Sequence, residues 1–254
     1  MLIFIIILAI IQGLTEFLPV SSSGHLVLLN KFFGIENDFL LLSVLLHLAT
    51  LFSVVLVLRK EVLEVARHPF GEKGRKLIIS TIPTIVIVLL FKGLVDKSFE
   101  GGFLPVCFML TAVVIVVSEL LNKHSKSKDK TITKKTALFM GIAQGIAVLP
   151  GISRSGATIC AGLAQGKNRE QVAHYSFLMS IPIILASLVY EVYEYVVSRQ
   201  ALTLMWYELL IGFIVAFITG IFAVKFMLRV VEKHSLIWFA VYLVAISIVS
   251  FFVI

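Results

Sequence analysis

Two short stretches of the chain concentrate the residue types that handle anions and protons. The first runs from Gln12 to His25, QGLTEFLPVSSSGH, and the second from Pro150 to Thr158, PGISRSGAT. Each has a proline-containing break followed by serines and a glycine that open a new helical segment. A helix amino terminus presents unpaired N–H groups and about half a positive charge. Two such ends converging in a low-dielectric space make a cradle for phosphate or pyrophosphate. Gly24 and Gly156 let the backbone approach an anion, while Ser21, Ser22, Ser23, Ser153, Ser155 and Thr158 supply hydroxyls. Arg154 adds a fixed, bidentate positive charge. Gln12 and Glu16 stand four residues apart, on one helical face, and His25 follows directly on Gly24. Carboxylate, hydroxyl, imidazole and guanidinium around one anion hole are the parts needed for phosphoryl transfer to water or to serine. Glu16 can hold a divalent metal or act as base, His25 can protonate the leaving group, and Arg154 can stabilise developing charge.

The elements that must carry these groups are membrane helices. Of 254 residues, 59% are hydrophobic and only 15% are charged, which excludes a water-soluble, nucleic-acid-binding or disordered chain. The net charge of +7 does not argue for nucleic acid, because the basic residues fall in short stretches between apolar blocks. Cys107 and Cys160 lack metal or redox spacing and read as small hydrophobes. Six blocks are long enough to span: 41–58, 77–95, 103–121, 172–197, 204–224 and 236–254. The opening run MLIFIIILAII, 11 residues, is too short to cross and has no basic residue before it, so it reads as half of a re-entrant hairpin, not a cleaved signal. Stretches 1–33 and 136–166 are apolar but broken by Pro, Gly and Ser, which membrane depth tolerates only inside protein or beside water.

An offset of 132 pairs Gln12 with Gln144, Gly13 with Gly145, Ser21 with Ser153, Ser23 with Ser155 and Gly24 with Gly156. The expected fold is therefore an all-α integral membrane protein forming one domain from an internal duplication. Repeat one covers 1–122, a basic linker 123–135 and repeat two 136–254, each repeat holding a re-entrant helix hairpin plus three transmembrane helices. Three crossings per half invert the second repeat. Seventeen Lys and Arg fall on one side and four on the other, with Arg154 at the second break, so the rich side is cytoplasmic and both termini face outward. The hairpins then enter from opposite faces and their tips meet near the midplane.

Serines and glycines there could instead simply pack hairpin tips closely. That does not serve Arg154, since an unpaired guanidinium at depth costs about 2.5 kcal/mol or more. A purely structural ion pair with Glu16 is the plain alternative. His47 reads as a hydrogen-bonded interior histidine, and Glu119, His174, Glu191 and Glu208 as residues near span ends that reach toward water.

QGLTEFLPVSSSGH and PGISRSGAT resemble the two signature motifs of the bacterial undecaprenyl pyrophosphate phosphatase family, also called bacitracin-resistance proteins. The tract from Arg169 through HYSFLMSIP, ending at Pro182, resembles the helix after the second motif, and the likeness covers essentially the whole chain. It implies a hydrolase of the bacterial plasma membrane that removes the terminal phosphate of undecaprenyl pyrophosphate. This recycles the carrier lipid for peptidoglycan synthesis and confers bacitracin resistance. It also implies a divalent cation, Mg2+ or Ca2+. By the resemblance Glu16 is the essential acid and candidate metal ligand, Ser22 the nucleophile, His25 a general acid/base and Arg154 the phosphate clamp. Gln12 stands where many relatives carry Glu, which leaves one fewer carboxylate for metal. Whether Ser22 or a metal-held water attacks stays open. Expected partners are the polyprenyl pyrophosphate and membrane lipid, with a homodimer as a candidate assembly. The rival class is a polyprenyl-phosphate flippase or anion transporter, since inverted repeats with broken helices also build transporters. Glu16, Ser22 and His25 beside the cradle favour the enzyme.

Overall fold

Backbone groups in lipid find no water, so each spanning stretch must close its hydrogen bonds on itself. The computed structural model describes residues 2–33, 39–124, 131–198 and 204–254. These form twelve helices: α1 (Leu2–Thr15), α2 (Ser22–Phe33), α3 (Phe39–Val57), α4 (Arg59–Arg67), α5 (Glu72–Leu90), α6 (Lys92–Ser98), α7 (Leu104–His124), α8 (Lys134–Ile146), α9 (Arg154–Leu163), α10 (Arg169–Ser198), α11 (Trp206–Lys233) and α12 (Ile237–Val253). The architecture is all-helical.

Helices α7, α10 and α11 are long and apolar enough to cross a bilayer, and α3 with α4 adds a fourth span if that pair, bent by 85° at Leu58, is counted as one. Large apolar side chains face outward along them: Val106, Val189 and Phe222 are 60%, 66% and 63% exposed. Lipid is the surrounding that tolerates such a surface, and the protein is a membrane protein. The expected span 172–197 lies within α10, 103–121 and 204–224 lie within α7 and α11 but for one or two residues at their starts, and 41–58 matches α3 to within two residues at either end. The expected block 77–95 is cut differently. Its helix, α5, starts earlier at Glu72 and stops at Leu90, and α6 follows after Phe91, where Lys92, Gly93 and Lys97 dilute the apolar run. Block 236–254 forms the 17-residue α12. Within the basic linker, Lys123 lies in the last turn of α7 and Lys134 and Lys135 open α8; Lys126, Lys128 and Lys130 lie outside the described residues, as does Arg199.

The helices interlock across the chain. α1 packs along α11, α11 along α3, α5 along α8 and α7 along α12, while α10 lies against α3. Small residues permit the close crossings. A Cβ on Gly141 of α8 would sit 2.2 Å from the Ser80 carbonyl oxygen of α5. Thr84 donates to the Gly141 carbonyl at 2.8 Å, and Gln144 donates to the Thr84 hydroxyl at 3.3 Å. Cys107 and Cys160 are buried and unpaired with one another, as the sequence leads one to expect.

Glu119 does not reach for water. Its carboxylate takes both guanidinium Nη atoms of Arg169 at 2.8 and 3.0 Å and the Leu236 N–H at 2.9 Å, while Arg169 Nε donates to the Val231 carbonyl. One ion pair thus joins α7, α10 and the α11–α12 corner. Glu208 caps α11 through the Met205 N–H at 3.1 Å, and His174 lies 3.2 Å from Glu61. The Glu119 and Arg169 side chains are only 9% and 16% exposed. Glu119→Ala therefore leaves the guanidinium largely shielded without its counter-ion and is expected to cost about 3 kcal/mol, read as a clear fall in the unfolding midpoint in detergent; an unchanged midpoint would mean the pair contributes nothing.

Candidate active site

Both breaks are built by the same local rules. α1 ends at Thr15, whose hydroxyl turns back to the Ile11 carbonyl at 2.6 Å, and Pro19 keeps the next residues from continuing a helix. Ser21 has φ of 68°, a left-handed conformation unusual for any residue but glycine, and α2 begins at Ser22. In the second break Gly151 takes φ of 92°, and the Ser153 hydroxyl caps α9 by accepting the Gly156 N–H at 3.1 Å.

The two tips touch. Ser21 Oγ accepts from the Gly151 N–H at 3.0 Å and from its own Gly24 N–H at 3.3 Å. Ser155 Oγ donates to the Leu18 carbonyl at 2.9 Å, and Thr111 of α7 bonds the Gly151 carbonyl at 3.0 Å. Gly24 permits this approach, because a Cβ there would lie 2.8 Å from the Gly151 nitrogen.

Glu16 is the hub. Its side chain is 1% exposed and pairs with the Arg154 guanidinium from the opposite tip. Its other oxygen accepts the Ser22 hydroxyl at 2.5 Å and the Gln12 amide at 3.0 Å. His47 Nε2 lies 4.0 Å from the same oxygen. Glu16, Ser22, His47 and Arg154 edge a cavity of about 170 Å3. Thr15, Glu16, Ser22, Ser43, His47, Ser153, Arg154, Ser187 and Glu191 form its polar wall; Leu26, Val27, Phe99, Ile183 and Ile184 are among its apolar ones.

Among the expected site residues, Glu16, Ser21, Ser22, Ser23, Ser153 and Arg154 line this cavity. Gln12 stands behind Glu16. Gly24 and Gly156 pack the tips together. Ser155 and Thr158 border a smaller adjoining space with Glu16, Arg154, Ser176 and Ser180, where Thr158 bonds Ser176 at 2.6 Å. His25 lies elsewhere: its ring is held by the Ser21 carbonyl at 2.7 Å and the Tyr242 hydroxyl at 2.6 Å. The imidazole in the cavity wall is instead His47, whose Nδ1 bonds the Ser43 carbonyl at 2.9 Å and sits 3.7 Å from Glu191. His47 and Glu191 are the residues that sequence reasoning assigned to bland roles. A signal for them was present: Ser43 with His47, and Ser187 with Glu191, are polar pairs four residues apart on otherwise apolar helices.

The site's oxygen donors suit a hard cation. The Gln12 Oε1 atom is buried without a hydrogen-bond partner, on the amide whose nitrogen donates to the Glu16 carboxylate. Among the described residues no group of three or more His, Cys, Asp or Glu could hold a metal alone. The donor set therefore fits a cation that brings water and phosphate oxygens with it.

The sequence profile of the bacitracin resistance protein BacA family matches residues 5–249, nearly the whole chain and both tips. The chain belongs to this family. Relatives in it include an undecaprenyl-diphosphatase of Carboxydothermus hydrogenoformans, 42% identical over 93% of this chain and 91% of that protein. An undecaprenyl-diphosphatase of Desulfatibacillum aliphaticivorans is 41% identical over 94% and 93%, and one of Parabacteroides distasonis is 38% identical over 96% and 95%. This BacA-family site depends on contact between its tips. Gly24→Ala is accordingly expected to lower stability by about 1–3 kcal/mol through overpacking, whereas Gly93→Ala, inside α6 with nothing within 4 Å of the new Cβ, should not lower the melting midpoint.

Proposed function

We propose that this protein hydrolyses undecaprenyl pyrophosphate to undecaprenyl phosphate and inorganic phosphate, recycling a carrier lipid for cell-wall synthesis in the bacterial plasma membrane and so conferring bacitracin resistance. The single observation that carries the reading is the Glu16 carboxylate, which holds the Ser22 hydroxyl on one oxygen and the Arg154 guanidinium on the other. The relatives' shared name, undecaprenyl-diphosphatase, supports the substrate.

In this reading the pyrophosphate head enters the cavity and the prenyl tail stays in lipid, since a volume of about 170 Å3 is below the few hundred Å3 that enclose a drug-sized ligand. Ser22 Oγ attacks the terminal phosphorus while Glu16 takes its proton, the bridging P–O bond breaks to release undecaprenyl phosphate, and water then hydrolyses the phosphoserine to inorganic phosphate and free Ser22. Arg154 shares its five donors between Glu16 and the phosphoryl oxygens, where charge builds up. His47, with Nδ1–H on the Ser43 carbonyl, turns Nε2 toward the site and is the imidazole placed to pass a proton to the departing phosphate or from the attacking water. Glu16, with the Gln12 side-chain amide turned to present its oxygen, would hold a Mg2+ or Ca2+ ion. Such an ion would neutralise phosphate charge when bound.

The same reading makes the chain an inverted repeat whose tips reach the site from opposite faces, with both termini outside. The 132-residue offset supports it, as does the packing of α1 on α11 matched by that of α8 on α5. A homodimer is a further part of the proposal.

Phosphate release from farnesyl or undecaprenyl pyrophosphate in detergent, where no gradient exists, tests the reading. Arg154→Ala and Glu16→Gln are expected to lower kcat by about a hundredfold or more, and Arg154→Lys to remain impaired because the planar fork is lost. No release from folded wild type would favour a flippase or anion transporter. In the same assay a chelator should abolish turnover and added Mg2+ or Ca2+ restore it; turnover indifferent to chelation would remove the cation from the proposal.

A further inference from the structure

His25 is fully committed to protein partners. Its ring is 7% exposed, stacks on Tyr242 at 5.7 Å with an interplanar angle of 5°, and meets the Phe108 ring edge-on at 5.6 Å. The Ser21 carbonyl can only accept, so Nδ1 carries the proton of that 2.7 Å bond. In the neutral ring Nε2 is then an acceptor, and the Tyr242 hydroxyl donates to it at 2.6 Å. Neither nitrogen is left for a phosphate, and His25 is not among the residues that line the cavity.

The far end of this chain of bonds is Ser21. It is the one non-glycine residue with positive φ among the described residues. A left-handed serine persists only where its surroundings over-determine it. Ser21 Oγ meets the Gly151 and Gly24 N–H groups, and its carbonyl meets His25. The next residue is Ser22, whose hydroxyl lies 2.5 Å from Glu16.

Resting on the phosphatase reading above, we propose that Tyr242 and His25 are positioning residues for Ser22: the relay from the Tyr242 hydroxyl through the His25 ring to the Ser21 carbonyl holds the left-handed turn that aims Ser22 at Glu16, and no proton of the reaction passes through His25. Helix α12, whose tyrosine starts the relay, thereby takes part in catalysis at a distance. Tyr242 is 43% exposed, so losing its hydroxyl leaves the packing intact.

The test is phosphate release from farnesyl pyrophosphate by the purified full-length protein in detergent, with kcat and KM measured separately and thermal unfolding followed for every variant. Tyr242→Phe removes one hydrogen bond and is expected to lower kcat by about five- to tenfold while KM stays within about twofold. His25→Asn keeps a donor near the position of Nδ1 and is expected to stay within about tenfold of wild type, whereas His25→Ala loses about a hundredfold or more. Asparagine is too short to meet Tyr242, so adding Tyr242→Phe to His25→Asn should cost no more than about twofold. If folded His25→Asn is as inactive as His25→Ala, the imidazole proton is used in the reaction and the proposal is overturned. Losses from Tyr242→Phe and His25→Asn that multiply overturn it as well. Wild type that releases no phosphate brings down the phosphatase reading and the relay together, while an active wild type indifferent to Tyr242→Phe brings down the relay alone.

Discussion

A carboxylate withdrawn from water must be repaid with partners, and the burial of Glu16 organises everything near it. Its side chain is almost fully enclosed, and an isolated charge there would cost several kcal/mol. Arg154, Ser22 and Gln12 satisfy it, and His47 stands just beyond hydrogen-bond range. Arg154 starts α9 and Ser22 starts α2, so meeting the carboxylate's needs forces two helix ends, about 130 residues apart in sequence, into one place. The groups that stabilise the buried charge are also those a pyrophosphate head requires. A site of this kind is poised because its ground state already contains a substitute for substrate: one carboxylate accepting what phosphate oxygens would accept.

The serines divide into two populations that composition alone cannot separate. Ser21, Ser153, Ser155 and Thr158 bond backbone or neighbouring hydroxyls and hold the breaks in shape. Ser22 is the one tied to the carboxylate. Broken helices at membrane depth release backbone donors and acceptors that lipid cannot satisfy, so most of the hydroxyls near the tips serve the backbone first.

That division explains what was legible in the sequence. The apolar runs, the two breaks and the Glu16–Arg154 partnership follow from residue type and from the cost of stranding a charge in lipid. The direction of His25 was not legible, because adjacency to Gly24 says it is near the tip but not which way a helical side chain points, and α2 turns it toward α12. His47 and Glu191 were passed over because each sits on a long apolar helix far from either motif in sequence. Only the packing of α10 against α3 brings them to the same wall. The early end of α5 was hidden for a different reason: an apolar count over 77–95 averages across the polar residues that follow Phe91.

The interlocked packing carries a consequence for how such a chain is made. α1 leaves the ribosome well before α11, yet the surface it lies along belongs to α11, and α7 waits for α12. At about 5–20 residues per second, α1 must persist for on the order of ten seconds or longer among lipids or insertion machinery before its neighbour exists. Newborn protein therefore stays unfinished until α11 and α12 arrive, and a message truncated before them would leave α1 and α7 without the helices they chiefly lie along.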